Sequence, residues 1–228
     1  MPDRPLAAVF DLDGTLVDNM AFHGSAWVAA AERLGVHATR EQFEREWAGK
    51  KSEEIFEILL GGPQAATVTA KLVAEKEATY RELYRPHLAP LPGLVPFLAR
   101  LRATGVRVAL ATAAPAENRD FVLDALGLDE SFEVVQGPEG VARGKPAPDI
   151  YLAAAARLGL AGGACVAFED AVNGVRSARA AGMAAVAVLT TAAEADLRSA
   201  GASHAIRDFA TLPAELERYL FGSHANAG

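Results

Sequence analysis

Apolar and polar positions fall into blocks along this chain, and the period changes from block to block. Ala8, Val9 and Phe10 form a short apolar run that ends in Asp11, Asp13 and Gly14. A run of that length, closed by polar residues and a glycine, predicts a buried parallel strand with a loop after it. From 22 to 84 nothing reads as a strand. Phe22, Ala26, Ala29, Ala30, Arg33 and Leu34 share a helical spacing, closed by Gly35. Thr39 opens a helix over 40–47, with Gln42 at the capping-box position. A turn at Gly49-Lys50-Lys51-Ser52 follows, and Ser52 is expected to cap a helix over 53–60 that ends at Gly61-Gly62-Pro63. A long helix covers 64–84.

Beyond Leu91-Pro92-Gly93 the blocks alternate regularly. Helices are predicted over 94–104, 117–126, 148–158, 172–181, 193–200 and 213–221. Strands are predicted over 106–112, 132–136, 164–168, 184–189 and 204–206. Such alternation implies an α/β fold, a parallel sheet with helices on both faces and right-handed crossovers. The block of about sixty helical residues cannot thread that sheet without covering it, so it reads as an inserted all-helical subdomain. The predicted boundaries are 1–18 and 89–228 for the sheet domain and 19–88 for the insert. The polar tail 222–228 is expected to fray.

Composition narrows the classes. The chain has 228 residues, 51% of them hydrophobic, enough for a sizeable core. A net charge of −7 argues against a general affinity for nucleic acid or an anionic membrane surface. The single cysteine, Cys165, excludes an intramolecular disulfide and lies in an apolar run, which marks it as a core residue. Neither a signal-peptide pattern nor an apolar stretch of about 18 residues appears. The expectation is a cytoplasmic protein, monomeric, with no nucleic-acid or membrane partner.

Four predicted strand ends carry polar chemistry: Asp11, Thr112, the loop 137–145 and Glu169-Asp170. In an open parallel sheet these share one edge, where ligands bind. Side chains two apart on an extended chain face the same way, so Asp11 and Asp13 can approach one site. Carboxylates that close raise each other's pKa unless a cation lies between them, and a hard ion with oxygen ligands, Mg2+ foremost, fits. The plainer readings stay open at this point. Asp13-Gly14 is also a turn signal, Asp170 can cap the helix after it, Thr112 can be a satisfied hydroxyl, and Lys145 can be a surface lysine.

Asp11-Leu12-Asp13-Gly14-Thr15 resembles the first motif, DxDGT, of the haloacid dehalogenase-like superfamily. Ala109-Leu110-Ala111-Thr112 resembles its second motif, Gly144-Lys145-Pro146-Ala147-Pro148-Asp149 its lysine motif, and Phe168-Glu169-Asp170-Ala171-Val172-Asn173-Gly174 its acidic metal motif. The motifs stand in the family's order and cover nearly the whole chain. The likeness is strongest to the branch holding β-phosphoglucomutase and small sugar-phosphate phosphatases. It implies a Rossmann-like sheet domain with a helical cap that closes as a lid. It implies Asp11 as a nucleophile that becomes an aspartyl-phosphate, and Asp13 as the general acid-base. Asp11, the Asp13 backbone carbonyl, Glu169 (directly or through water) and Asp170 would hold Mg2+. Thr112, the Ala113 N–H and Lys145 would bind phosphate. Asn19, His23, Lys50, Lys51 and Asn118 are candidate substrate contacts; His23 matches a histidine common in the branch, and Lys50 and Lys51 also read as solvated charges in a turn.

The expected function is a Mg2+-dependent phosphatase acting on a small phosphorylated metabolite, a sugar phosphate foremost. The alternative is a β-phosphoglucomutase-like isomerase using the same aspartyl-phosphate. Related mutases place an arginine just after the cap's glycine turn, and here Ser52 aligns with it, followed by Glu53 and Glu54. Arginine suits a fixed phosphate grip, and two glutamates repel one, although Lys50 or Lys51 can supply a point charge. A catalytically inert binding protein on the same fold is a third class, against which the intact Asp11, Asp13, Lys145 and Asp170 set speaks.

Overall fold

The computed structural model describes residues 4–47 and 51–222. The expectations for the extreme N-terminus, for Gly49 and Lys50, and for most of the tail lie outside the described residues. The chain divides into two compact units, Met1–Asp18 with Ala89–Gly228, and Asn19–Leu88.

The first unit is built on a six-stranded sheet. Its strands are β1 (Ala7–Phe10), β2 (Arg107–Ala111), β3 (Val134–Gln136), β4 (Cys165–Glu169), β5 (Ala184–Val188) and β6 (His204–Ile206). The order is β3-β2-β1-β4-β5-β6 and every pairing is parallel. The order reverses direction at β1, which places a topological switch point between β1 and β4. Ligands bind outside the carboxyl ends of strands at such a point.

The helices of this unit are numbered with those of the other in chain order: α5 (Leu94–Ala103), α6 (Ala116–Leu126), α7 (Asp149–Arg157), α8 (Val172–Ala180), α9 (Glu194–Ser199) and α10 (Ala214–Phe221). Both faces of the sheet are buried, so its strands read as continuous apolar runs. All four residues of β1 are buried. Ala7 and Val9 face a cluster with Tyr151 and Ala154 of α7 and Val175 and Ala178 of α8. Phe10 turns to the opposite face, where it stacks on Phe168 with centroids 4.6 Å apart and meets Phe97 of α5 edge-on. Burial of a phenylalanine such as Phe10 contributes about 1.5–3 kcal/mol. Cys165 is buried in the first of these clusters, and burial pushes its thiol up to about 11, so it is an inert core residue.

The second unit is helical: α1 (Met20–Arg33), α2 (Arg40–Gln42) continued by a π-helical turn (Phe43–Trp47), α3 (Ser52–Leu60) and α4 (Ala66–Tyr84). Thr39 caps α2 as its spacing suggests, accepting the Gln42 N–H at 3.1 Å. The helix predicted over 40–47 does not stay α-helical, because the chain widens to the π form at Phe43 and so points Phe43 and Trp47 into the core of the unit with Trp27 and Phe56. Ser52 is not a cap. Lys51 holds the N-cap position of α3 with extended backbone and no side-chain bond, and Ser52 is the first helical residue. Among the described residues, no helix is long and apolar enough to cross a membrane.

Candidate active site

The register of the central strands sets the site. Phe10 pairs with Leu110 on one side and Phe168 on the other, so β1 ends one residue short of β2 and β4, and the three carboxyl ends lie side by side. Asp11, Thr112 and Asp170 are the residues immediately after those ends, and Glu169 closes β4. Lys145 arrives from the loop before α7, and its peptide bond to Pro146 is cis.

Lys145 joins the acids. Its Nζ donates to Asp11 Oδ1 at 2.7 Å, to Glu169 Oε1 at 2.5 Å and to the Ala111 carbonyl at 3.3 Å. The Tyr151 hydroxyl donates to the same Glu169 oxygen at 2.9 Å, while the other Glu169 oxygen accepts the Ala171 N–H at 3.3 Å. Asp170 accepts from Thr15 Oγ1 at 3.2 Å, and the nearby Thr191 hydroxyl draws its carboxyl down. Asp170 does not cap α8. Ala171 takes that position, because the chain stays extended for one residue beyond Asp170.

Three buried carboxylates against one ammonium leave the cluster short of positive charge. Burial lifts the Asp11 carboxyl to about 7, against the pull of Lys145 and with the help of Glu169 and Asp13. Burial, then Glu169 and Asp11, hold Asp170 well above the ordinary carboxylate range. Burial by itself would lower Lys145, yet Asp11 and Glu169 outweigh it and keep the ammonium more basic than usual. One oxygen from each of Asp11, Glu169 and Asp170 lies within 4.8 Å of the others. An all-oxygen, electron-rich set of this kind fits a hard divalent cation such as Mg2+. With Glu169 already accepting from Lys145, Tyr151 and Ala171, the carboxylates of Asp11 and Asp170 are the better direct ligands.

Two glycines make room for this arrangement. A Cβ on Gly14, whose φ is +76°, would lie 2.1 Å from Asp170 Oδ2. A Cβ on Gly174 in α8 would lie 1.9 Å from Glu169 Cδ. The Asn173-Gly174 pair of the acidic motif therefore has a steric reason at its second position.

The remaining candidates fall in different places. Asp13 is half-buried and bridges in parallel to Val17. Thr112 is 1% exposed and its Oγ1 accepts the Ala114 N–H at 3.1 Å, while Ala113 is exposed. Asn118 is buried in the first turn of α6. In the helical unit, Asn19 is buried and its amide donates to the Tyr80 hydroxyl at 2.6 Å. His23 reads from the sequence equally as a polar residue on a partly exposed helix, and the structure does not place it so. It is buried, stacked on Tyr80 at 3.8 Å between centroids, with Nδ1 3.1 Å from Lys76 Nζ. Lys51 is exposed, and Lys50 lies outside the described residues.

Sequence reasoning passed over several participants. Tyr151, Thr190 and Thr191 belong to no motif read in the chain. Lys76, 3% exposed, lies 2.9 Å from Glu77 and 4.9 Å from the Trp27 ring centroid, a buried ion pair that the helical pattern of 64–84 gave no reason to expect.

The family model for haloacid dehalogenase-like hydrolases matches residues 6–182. β-Phosphoglucomutase of Bacillus subtilis is 33% identical over 80% of this chain and 82% of its own. Hexitol phosphatase B of Escherichia coli is 31% identical over 86% of this chain and 89% of its own. Among solved structures, a HAD hydrolase of family IA, variant 3, from Entamoeba histolytica superposes with a TM-score of 0.83 at 26% identity, covering 92% of this chain and 96% of that one. The adjacent strand ends, the Lys145-centred acid cluster and these matches agree: the chain is an enzyme of the haloacid dehalogenase-like hydrolase family, in its β-phosphoglucomutase-like branch.

Proposed function

We propose that this enzyme is a Mg2+-dependent phosphatase that hydrolyses small sugar phosphates through an aspartyl-phosphate on Asp11. The observation that carries the reading is the 2.7 Å contact between Lys145 and Asp11 inside the buried acid cluster. The ammonium aims the carboxylate and works against the burial that lifts it to about 7, and a bound cation would add to that pull toward the ionised form a nucleophile needs. An Asp11 oxygen attacks phosphorus, and the bond from phosphorus to the sugar oxygen breaks. Asp13 gives its proton to the leaving oxygen. Asp13 then takes a proton from a water molecule as that water attacks the aspartyl-phosphate, and inorganic phosphate leaves with Asp11 restored. Lys145, the Thr112 hydroxyl and the Ala113 N–H offer positive charge and donors to the phosphate oxygens. Bound between Asp11, Asp170 and the Asp13 carbonyl, Mg2+ would offset the charge of carboxylate and phosphate together.

The choice of hydrolase over mutase rests on the first turn of α3. It carries the exposed pair Glu53 and Glu54 after Ser52, and no arginine to hold a second phosphate. Relatives named for each activity match this chain to a similar degree. The experiment is phosphate release from a panel of sugar monophosphates with MgCl2, beside a coupled assay converting β-glucose 1-phosphate to glucose 6-phosphate with a bisphosphate primer. Phosphate release that outpaces isomerisation supports the reading. Isomerisation much faster than release makes the protein a mutase.

A further inference from the structure

We propose that Thr191 is a positioning residue for the cation site: from the loop after β5 its hydroxyl orients the Asp170 carboxylate, and Thr190 beside it braces that loop against Gly14. The inference rests on the Mg2+ reading above. Asp170 is 2% exposed, and the helix it precedes does not hold it, since Ala171 is the N-cap of α8. Two hydroxyls lie against it instead: Thr15 Oγ1, which donates at 3.2 Å, and that of Thr191, which favours its ionised form.

These hydroxyls come from the loops of two strands that are not neighbours. Thr15 follows β1 and Thr191 follows β5, with β4 between them in the sheet. The β5 loop must therefore reach across the end of β4, from which Asp170 projects. Thr190 secures the crossing, because its Oγ1 donates to the Gly14 carbonyl. The groups converge on one point. A Cβ on Gly14 would lie 2.1 Å from Asp170 Oδ2 and 2.8 Å from Thr191 Oγ1.

The need for such a brace follows from charge and from the ion. Asp11 and Glu169 are like charges that push Asp170 away. Mg2+ tolerates little departure from octahedral geometry, so its carboxylate ligand must be aimed beforehand. Hydroxyl donors aim a carboxylate without neutralising it, whereas a second ammonium would compete with the cation. Thr191 is exposed, so it does not fill the core, and Thr191→Val removes the hydroxyl with little change of shape.

The test titrates MgCl2 calorimetrically into the purified full-length wild type, Thr191→Val and Thr191→Ser, with thermal unfolding of each in the absence of metal. Loss of a group that orients a metal ligand costs about 10–100-fold in affinity. Thr191→Val is expected to lose affinity on that scale while its metal-free melting temperature stays at the wild-type value, and Thr191→Ser is expected to recover it. Wild-type affinity in Thr191→Val overturns the proposal. So does a Thr191→Val chain that fails to fold, or a Thr191→Ser as weak as Thr191→Val, since either assigns the residue a packing role. Absence of saturable Mg2+ binding in the wild type removes the metal reading together with the inference.

Discussion

Lys145 Nζ lies 2.7 Å from Asp11 Oδ1 and is the only ammonium or guanidinium hydrogen-bonded to that carboxylate among the described residues. The same nitrogen holds Glu169, so a single positive charge serves two buried acids. Removing one partner of a buried ion pair costs about 3–5 kcal/mol, because the other is left uncompensated. Lys145→Ala is expected to lower the metal-free melting temperature and to abolish phosphate release. MgCl2 should restore more of the lost stability in this variant than it adds to the wild type, since the cation becomes the chief counter-charge. Unfolding curves with and without MgCl2 check this, and equal shifts in the two proteins count against it.

The acid cluster also makes a pH prediction. Asp11 rises from 3.8 to about 7 on folding, chiefly through burial. A raised folded pKa means that the native state binds more protons than the unfolded state between those values, so metal-free stability declines as pH rises through that window. A cation competes with the proton for the same carboxylate. The stabilisation by MgCl2 should therefore be larger at about pH 8 than at about pH 5. Melting temperatures at both values decide it, and a shift that is larger at the acidic value contradicts the cluster as the metal site.

Gly174→Ala sets local propensity against the site. Alanine is favoured over glycine inside a helix by about 1 kcal/mol. The added Cβ, however, would lie 1.9 Å from Glu169 Cδ and must displace the carboxylate that holds Lys145. The expected outcome is lower stability and a large loss of turnover despite the better helix former. A stabilised, fully active variant would mean that Glu169 can move without consequence.

Asp13→Asn tests proton transfer. General acid-base catalysis is worth about two to four orders of magnitude, and the variant should lose that much on an alkyl phosphate. The loss should shrink for p-nitrophenyl phosphate, whose leaving group needs no proton. Equal losses on both substrates would deny Asp13 the general-acid role.

Much of the architecture was legible because apolar runs and glycine stops repeat with the sheet. Ala8–Phe10 ending in Asp11, and Ala167–Phe168 ending in Glu169-Asp170, point to strand ends without any knowledge of pairing. Register supplied what the sequence could not, since it is Phe10 lying level with both Leu110 and Phe168 that brings the acids together. Tyr151 was hidden because an aromatic on an apolar helical face looks like core, which it also is. Thr190 and Thr191 were hidden because a threonine pair after a strand carries no period and gains meaning only from a loop that crosses β4. Lys76 and Glu77 defeat the amphipathic pattern of α4 outright, since burial of a charge is visible only once its partner and the Trp27 ring are in place. Ser52 misled because a serine before glutamates is a good capping signal, and the helix began one residue early.

Attack by Asp11 on phosphorus is tested most directly by steady-state phosphate release from a sugar monophosphate by purified Asp11→Asn, with folding checked by thermal unfolding. Asparagine keeps the shape of the side chain and removes the nucleophilic charge. The account predicts a folded protein with no turnover above background. Retained steady-state hydrolysis by the folded variant would contradict it, since no aspartyl-phosphate can then lie on the path.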